Sequence, residues 1–225
     1  MSEPVVVAQA ALLRLARYHC LLEEILREPH ASSIRSREIA AQLGLTEESV
    51  RGDLSHVDIK GRPGAGYDIN ELHAALTSFL GLSEESPFIV IGGRQMLEAL
   101  PFVFPAAEYG LRPIAYYSER AEDAGIVVNG LEVRPLENIS TTRFEADNVV
   151  ALVACEPDRV DETLALLSTA GVNGVLMLSP RIRPIHPAGM HVTYFRIPCA
   201  LKSLAASSHS STPPETSGGS CCCSD

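Results

Sequence analysis

The stretch Phe88-Ile-Val-Ile-Gly-Gly-Arg-Gln-Met-Leu-Glu-Ala-Leu100 constrains this chain more than any other. An apolar run ending on two glycines, then Met96, Leu97 and Leu100 at helical spacing, reads as strand, tight turn and helix. A dinucleotide-binding βαβ unit begins this way, because the turn aims helix N–H groups at a pyrophosphate. The cradle itself follows G-x-G-x-x-G. With Gly92 as its first glycine, the second position holds Arg94 and the third Leu97. Gly92, Gly93, Arg94, Gln95, Met96 and Leu97 are therefore the candidate cofactor-binding turn, and its broken pattern puts nucleotide binding in question. Arg94 either grips a phosphate or pairs with a local carboxylate. Leu97 holds the helix farther from the strand than a glycine would. At the end of the next strand, where an acid binds the adenosine ribose, stands Ser118, also a candidate. Glu119, one step on, either substitutes for that acid or is a solvated surface residue.

From Pro87 onward strands and helices alternate, the pattern of a parallel sheet covered by helices. Strands are expected at 88–91, 113–118, 148–155, 174–179 and 190–195, with helices at 96–105 and 160–170. A hairpin at 125–134 carries the turn dipeptide Asn129-Gly130. A helix at 197–206 closes the fold. The tail from Ser207 to Asp225, rich in Ser, Thr, Pro and Gly, is expected to be disordered. Its Cys221, Cys222 and Cys223 either bind a soft metal or oxidise, or belong to a tail without specific role, the preferred reading.

The first eighty residues follow another logic. Residues 5–26 have one apolar helical face, and Pro29 lies where a helix stop is expected. After a short link at 33–35, Ser36 reads as N-cap of a helix over 37–43, ended by Gly44. Thr46 caps a second helix over 47–56. Two short helices joined by Gly-Leu-Thr make a helix-turn-helix. The segment Asp58 to Tyr67, with three glycines, one proline and two cations, suits a β-hairpin wing against a phosphate backbone. Candidate DNA contacts are Ser36, Thr46, Ser49, Arg51, Ser55, His56, Lys60, Arg62, Gly64 and Tyr67. The competing reading is a helical hairpin with a flexible loop. Glu47 and Glu48 favour the helix dipole but repel phosphates, and Gly52 weakens the helix interior.

The net charge of −10 speaks against nucleic acid only globally, since residues 14–67 hold eight basic and eight acidic side chains. No apolar run approaches the ~20 residues a membrane helix needs, and the N-terminus lacks a basic secretory start, so a cytoplasmic protein is expected. Cys20, Cys155 and Cys199 stand singly in apolar surroundings and read as structural. The seven histidines show no metal spacing and read as surface or hairpin residues, so no metal site and no catalytic constellation is expected.

Taken together, the chain resembles the Rex family of redox-sensing transcriptional repressors across residues 12 to about 206. The resemblance rests on Arg14-Leu15 with Tyr18, on Val50-Arg51-x-Asp53-Leu54-Ser55, and on Gly61-x-x-Gly64-x-Gly66-Tyr67. Further on it rests on Ala170-Gly171-Val172-x-Gly174-Val175-Leu176, Ser179-Pro180 and Leu201-x-Ser203-Leu204. It implies an α/β chain with a winged-helix DNA-binding domain over 1–80 and a Rossmann-like nucleotide-sensing domain over 81–196. The helix over 197–206 would swap between the subunits of a homodimer, and 207–225 would be the tail. It further implies binding to an inverted-repeat operator in double-stranded DNA, and an NAD(H)-binding pocket that releases the operator when NADH binds. Arg51, Asp53, Ser55, Gly64, Gly66 and Tyr67 stand where the family has them, while Gly52 replaces a second arginine. Arg94 and Leu97 replace glycines, Ser118 replaces the ribose-binding aspartate, and Arg196 falls where the family has another aspartate. These departures imply a divergent member whose NADH response is weakened, lost or redirected. The alternatives are a ligand-binding or interaction module without operator binding and, with less support, a small oxidoreductase.

Overall fold

Helix α1 (Gln9–Arg27) buries Leu15, Tyr18 and Leu22 at spacings of three and four, and that stripe organises everything up to Ser83. Against it pack α2 (Ser36–Leu43), α3 (Glu47–Leu54) and α4 (Ile69–Leu80), through Ile39, Val50, Leu54, Ile69, Leu72 and Leu76. Thr46 caps α3 by accepting the Ser49 N–H at 3.2 Å, and Gly44 ends α2 in the left-handed conformation, φ 65°. The first helix of the pair departs from expectation. Arg35 is its N-cap residue, and Ser36 is already helical and buried. The Glu38 carboxylate reaches back to accept the Arg35 N–H at 2.8 Å, the half of a capping box that the third helical residue supplies. The expected link at 33–35 contains a strand, β1 (Ser33–Ile34), paired antiparallel with β2 (Tyr67–Asp68). Gly66, at φ 87°, makes this possible, because any Cβ there would collide with the Ile34 carbonyl.

This is a computed structural model, which describes residues 7–27, 32–82, 85–144, 148–178 and 187–209. The chain divides into two compact units, one ending at Ser83 and the other beginning at Glu84. The tail carrying Cys221 to Cys223 and the Ser179-Pro180 pair lie outside the described residues.

The second unit is built on β3 (Ser86–Gly92), β4 (Leu111–Ser118), β5 (Val127–Val128), β6 (Leu131–Pro135), β7 (Val150–Ala154), β8 (Gly174–Met177) and β9 (His191–Tyr194). Their spatial order is β5-β6-β4-β3-β7-β8-β9, and every pairing except β5 with β6 is parallel. Without the β5 hairpin strand this is the doubly wound order 3-2-1-4-5-6, whose crevice opens at the carboxyl ends of the two central strands. Here those are β3 and β7, with Gly92 paired to Ala154. The hairpin turns where expected, at Asn129 and Gly130, φ 52° and 80°. Helices α5 (Arg94–Val103) and α6 (Val160–Thr169) cover the sheet, and α7 (Ile197–His209) closes the chain. Ile89, Ile91, Val153, Leu164 and Leu167 form the core on one side of the sheet, and Phe88, Val90, Leu97 and Tyr116 on the other.

Several boundaries differ from the sequence reading: α3 ends at Leu54 rather than 56, β4 starts at Leu111 rather than 113, and α5 and α7 differ as well. Helix α5 starts at Arg94 rather than 96, because Gly93 takes the N-cap. It ends before Phe104, which precedes Pro105 and is extended, φ −140°. Helix α7 continues to His209, past the expected 206. Among the described residues no helix is long and apolar enough to cross a membrane.

Candidate functional site

Helix α3 is fixed by a charge set into the base of the first unit. The Asp53 carboxylate accepts two hydrogen bonds from Arg14, at 2.6 and 2.7 Å, and one from the Tyr18 hydroxyl at 2.6 Å. Burial alone would raise the Asp53 carboxyl, but these donors outweigh it and hold it below the usual carboxylate range. The buried Tyr18 hydroxyl is pushed well above its ordinary value, first by desolvation and then by the neighbouring anion. The outer face of α3 then carries Arg51, Gly52 and Ser55 into solvent, with His56 just beyond. Lys60, Arg62 and Gly64 are exposed on the loop that follows, and Tyr67 is half-buried beneath Gly61. That loop is tighter than a long hairpin: Arg62 N–H donates to the Gly66 carbonyl at 2.6 Å, and Gly66 N–H to the Arg62 carbonyl at 3.0 Å.

Several candidates are tied up within the chain. Ser36 is buried and its hydroxyl donates to Glu47 at 3.0 Å, which removes it from any exposed surface. Thr46 and the Ser49 N–H are spent on the cap, and the Ser55 hydroxyl donates to the Gly52 carbonyl. Arg51 lies 3.3 Å from Glu47, and Arg62 lies 3.8 Å from Glu71. Both pairs are exposed, and such pairs contribute only ~0.2–1 kcal/mol, so a phosphate competes easily for either arginine.

The crevice of the second unit is occupied by the chain itself. Asp123, 4% exposed, accepts the Arg94 N–H at the first turn of α5, at 3.0 Å, and the Ser118 hydroxyl at 2.6 Å. The helix N-terminus, the natural place for a phosphate, thus holds a resident carboxylate. The Ser118 hydroxyl proton is thus committed to Asp123, and its oxygen also accepts the Arg120 N–H at 3.2 Å. Across the ends of β3 and β7 runs a second set of contacts. Glu119 accepts the Glu156 N–H at 3.0 Å, and Arg120 pairs with Glu156 at 3.1 Å. The Arg120 guanidinium lies over Gly93, 3.9 Å from where a Cβ would stand, and the Met96 thioether lies against Gly92. Glu119 is therefore half-buried and engaged rather than a solvated surface residue. Arg94 takes the second of its two options, pairing with Glu98 at 2.8 Å, and Leu97 is fully buried. Gln95 is exposed. A cleft of about 380 Å³ opens at the opposite, amino-terminal edge of β7, β8 and β9, lined in part by Val150, Gly174 and His191.

These residues depart from an ordinary dinucleotide cradle at the first turn of α5 and at the end of β4. A phosphate at the first turn of α5 would meet the Asp123 carboxylate already bound there, and the two negative charges would repel each other. The ribose acid is missing from the end of β4, where Ser118 stands instead.

The family described as "Putative DNA-binding protein N-terminus" matches residues 6–55. The chain is 30% identical over 182 residues to the redox-sensing transcriptional repressor Rex of Thermoanaerobacter sp. (strain X514), covering 80% of each protein. It is 27% identical to that of Roseiflexus sp. (strain RS-1) over 194 residues, 86% of each. The chain belongs to the Rex family. A crystal structure of RSP, a Rex-family repressor, superposes with a TM-score of 0.72 at 23% identity, over 89% of this chain and 93% of that one. RSP in complex with β-NAD+ and operator DNA gives the same score, over 89% and 92%. The likeness carries the fold.

Sequence reasoning missed Asp123, Arg120 and Glu156. The signal was faint: Asp123 is one acid among several in Ser118-Glu-Arg-Ala-Glu-Asp123, and only the short helix at Ala121–Asp123 turns it back toward α5. It also misread three other residues. His19 is buried rather than superficial, His73 is half-buried, and Cys20 is exposed rather than set in an apolar environment. Cys155 is buried, as expected of a structural thiol, and desolvation pushes it up to about 11.

Proposed function

We propose that this chain is a DNA-binding transcriptional repressor of the Rex family whose response to NADH is weakened. The observation that carries the first half is the Asp53 anchor, which holds α3 against α1 and turns Arg51 and Ser55 outward. The loop that follows carries the exposed cations Lys60 and Arg62, suited to a phosphate backbone. In this reading Arg51, Ser55 and His56 approach the major groove, and Lys60, Arg62, Gly64 and Tyr67 belong to the wing. Ser36, Thr46 and Ser49 support those contacts from within the head.

The second half rests on Asp123, a buried carboxylate already bound at the first turn of α5 where a pyrophosphate would be expected, and on Ser118 in place of a ribose-binding acid. NAD(H) is the ligand class the family resemblance brings. Of the residues that would meet it, the Arg94 N–H and the Ser118 hydroxyl are engaged with Asp123, the Arg94 side chain with Glu98, Met96 lies against Gly92, Leu97 is buried and Gln95 is exposed. The relatives are transcriptional repressors, which supports a regulatory role and a location in the cytoplasm beside operator DNA.

We further read the working form as a homodimer on an inverted repeat, joined through α7. That helix exposes Ile197, Leu201 and Leu204, at 53%, 61% and 68%, an apolar face that a second copy would cover.

The test is an NADH titration of the protein bound to an inverted-repeat duplex, selected from a random pool, with binding followed by fluorescence anisotropy. Saturable, salt-dependent binding with little release is expected. Release at micromolar NADH would overturn the weakened response, and failure to select any duplex would overturn operator binding.

A further inference from the structure

Between α1 and α4, inside the first unit, lies a group of side chains that neither DNA nor nucleotide binding uses. His19 and Glu23 sit one turn apart on α1, and His73 faces them from α4. One potential ligand atom from each lies within 4.8 Å of the other two. The sequence conceals this, because fifty-odd residues separate the two histidines.

The hydrogen bonds around the cluster decide which atoms are available. The Thr77 hydroxyl donates to the His73 carbonyl at 2.9 Å, which leaves its oxygen to accept from His19 Nε2 at 3.0 Å. His19 therefore carries its proton on Nε2 and a lone pair on Nδ1. That lone pair faces the Glu23 carboxylate at 3.8 Å, too far for a hydrogen bond and with no proton between them. Two electron donors held opposite each other are what a cation would bridge. His73 Nε2 is buried and has no hydrogen-bond partner, an uncommon state for a buried ring nitrogen.

We propose that His19, Glu23 and His73 bind a divalent transition metal of the Zn2+ class. Two imidazoles and a carboxylate are a borderline-soft donor set that suits zinc and its neighbours rather than Mg2+ or Ca2+. Thr77 orients His19 from behind, as outer partners of metal-bound histidines do. Three protein ligands leave a fourth position for water. The two rings are stacked at 4.4 Å with 28° between their planes, so His73 must turn out of the stack to close on the ion. Bound metal would tie α1 to α4, the helix through which the chain leaves the head.

The test is Zn2+ titration of the full-length chain, purified free of metal, with Cys221, Cys222 and Cys223 replaced by serine to silence the tail. Calorimetry gives stoichiometry and affinity, and proton NMR of the imidazole rings reports the loss of the stack. One Zn2+ per chain is expected, with the His19 and His73 ring signals shifting together. His73→Asn and Glu23→Gln, which leave the buried His19 in place, are each expected to weaken binding at least tenfold. No saturable binding at one equivalent, or affinity unchanged in both variants, would overturn the site and leave the pair as neutral stacked core histidines. Neither result bears on operator binding, which uses α3 and the wing.

Discussion

Replacing Asp53 by Ala tests how the reading head is held together. The substitution removes the acceptor of three charge-assisted hydrogen bonds of 2.6 to 2.7 Å and strands their donors. Removing one partner of a buried ion pair costs about 3–5 kcal/mol. The Arg14 side chain is 29% exposed, so water partly solvates the stranded guanidinium and the lower end applies. The Tyr18 hydroxyl, fully buried, has no such relief and contributes ~1–3 kcal/mol of that loss. The expected total is roughly 3 kcal/mol, or ~12–24 °C in the melting of a domain this size. Tyr18→Phe, which removes one donor and leaves Arg14 paired, should cost only about 1 kcal/mol. Hydrogen exchange with mass spectrometry on peptides covering 47–57 isolates the head's opening from that of the sheet unit. The pH dependence supplies a second check. Because Asp53 is held below the ordinary carboxylate value near ~3.9, its stabilisation is complete above that value and disappears as pH falls through the lower, folded one. The gap between wild type and Asp53→Asn should thus be constant from about pH 5 to 8 and close below about pH 4. A loss under ~0.5 kcal/mol for Asp53→Ala, or a gap that widens on acidification, would refute the anchor.

Asp123→Asn keeps an acceptor for the Arg94 N–H but removes the resident charge; NADH affinity, read by nucleotide fluorescence, should rise at least tenfold, and no change would mean that the charge does not close the crevice. Ser118→Asp, the apparent restoration of the ribose acid, should instead destabilise the sheet unit by more than ~1 kcal/mol, because it sets a second carboxylate against Asp123. Its thermal melt at pH 8 should recover in Ser118→Asp/Asp123→Ser. Gly66→Ala should cost over ~2 kcal/mol and unpair β1 from β2, visible as lost amide protection at Ile34. Arg62→Ala should weaken operator binding across all sequences and lower the salt slope by about one, whereas an unchanged slope would remove Arg62 from the phosphate contacts.

Much of the fold was legible because its determinants are local. Thr46, Gly44 and Asn129-Gly130 act within a few residues, and the apolar periods of α1, β3 and β7 need no partner to be read. Ser36 misled because the helix starts one residue earlier than its cap signal, with Arg35 at the N-cap and Glu38 accepting the Arg35 N–H. The closed state of the crevice was only half legible. The missing glycines were visible, but Asp123 fills the gap from a different segment, and nothing near Gly92 announces it. The same holds for Arg14, Tyr18 and Asp53. All three were visible as parts of the family resemblance, yet their meeting depends on α1 crossing α3, 39 positions along the chain.

That crossing limits how the head can be transplanted. A fragment holding only the two short helices and the wing, residues 36–67, would carry Asp53 without either of its donors. It would bury a bare carboxylate beneath the very helix it is meant to position. Specificity for a DNA sequence is therefore not portable at the scale of the helix-turn-helix, and the smallest exchangeable cassette begins at α1 and runs through α4. Chimeras joined inside that span should fail to assemble before they fail to recognise.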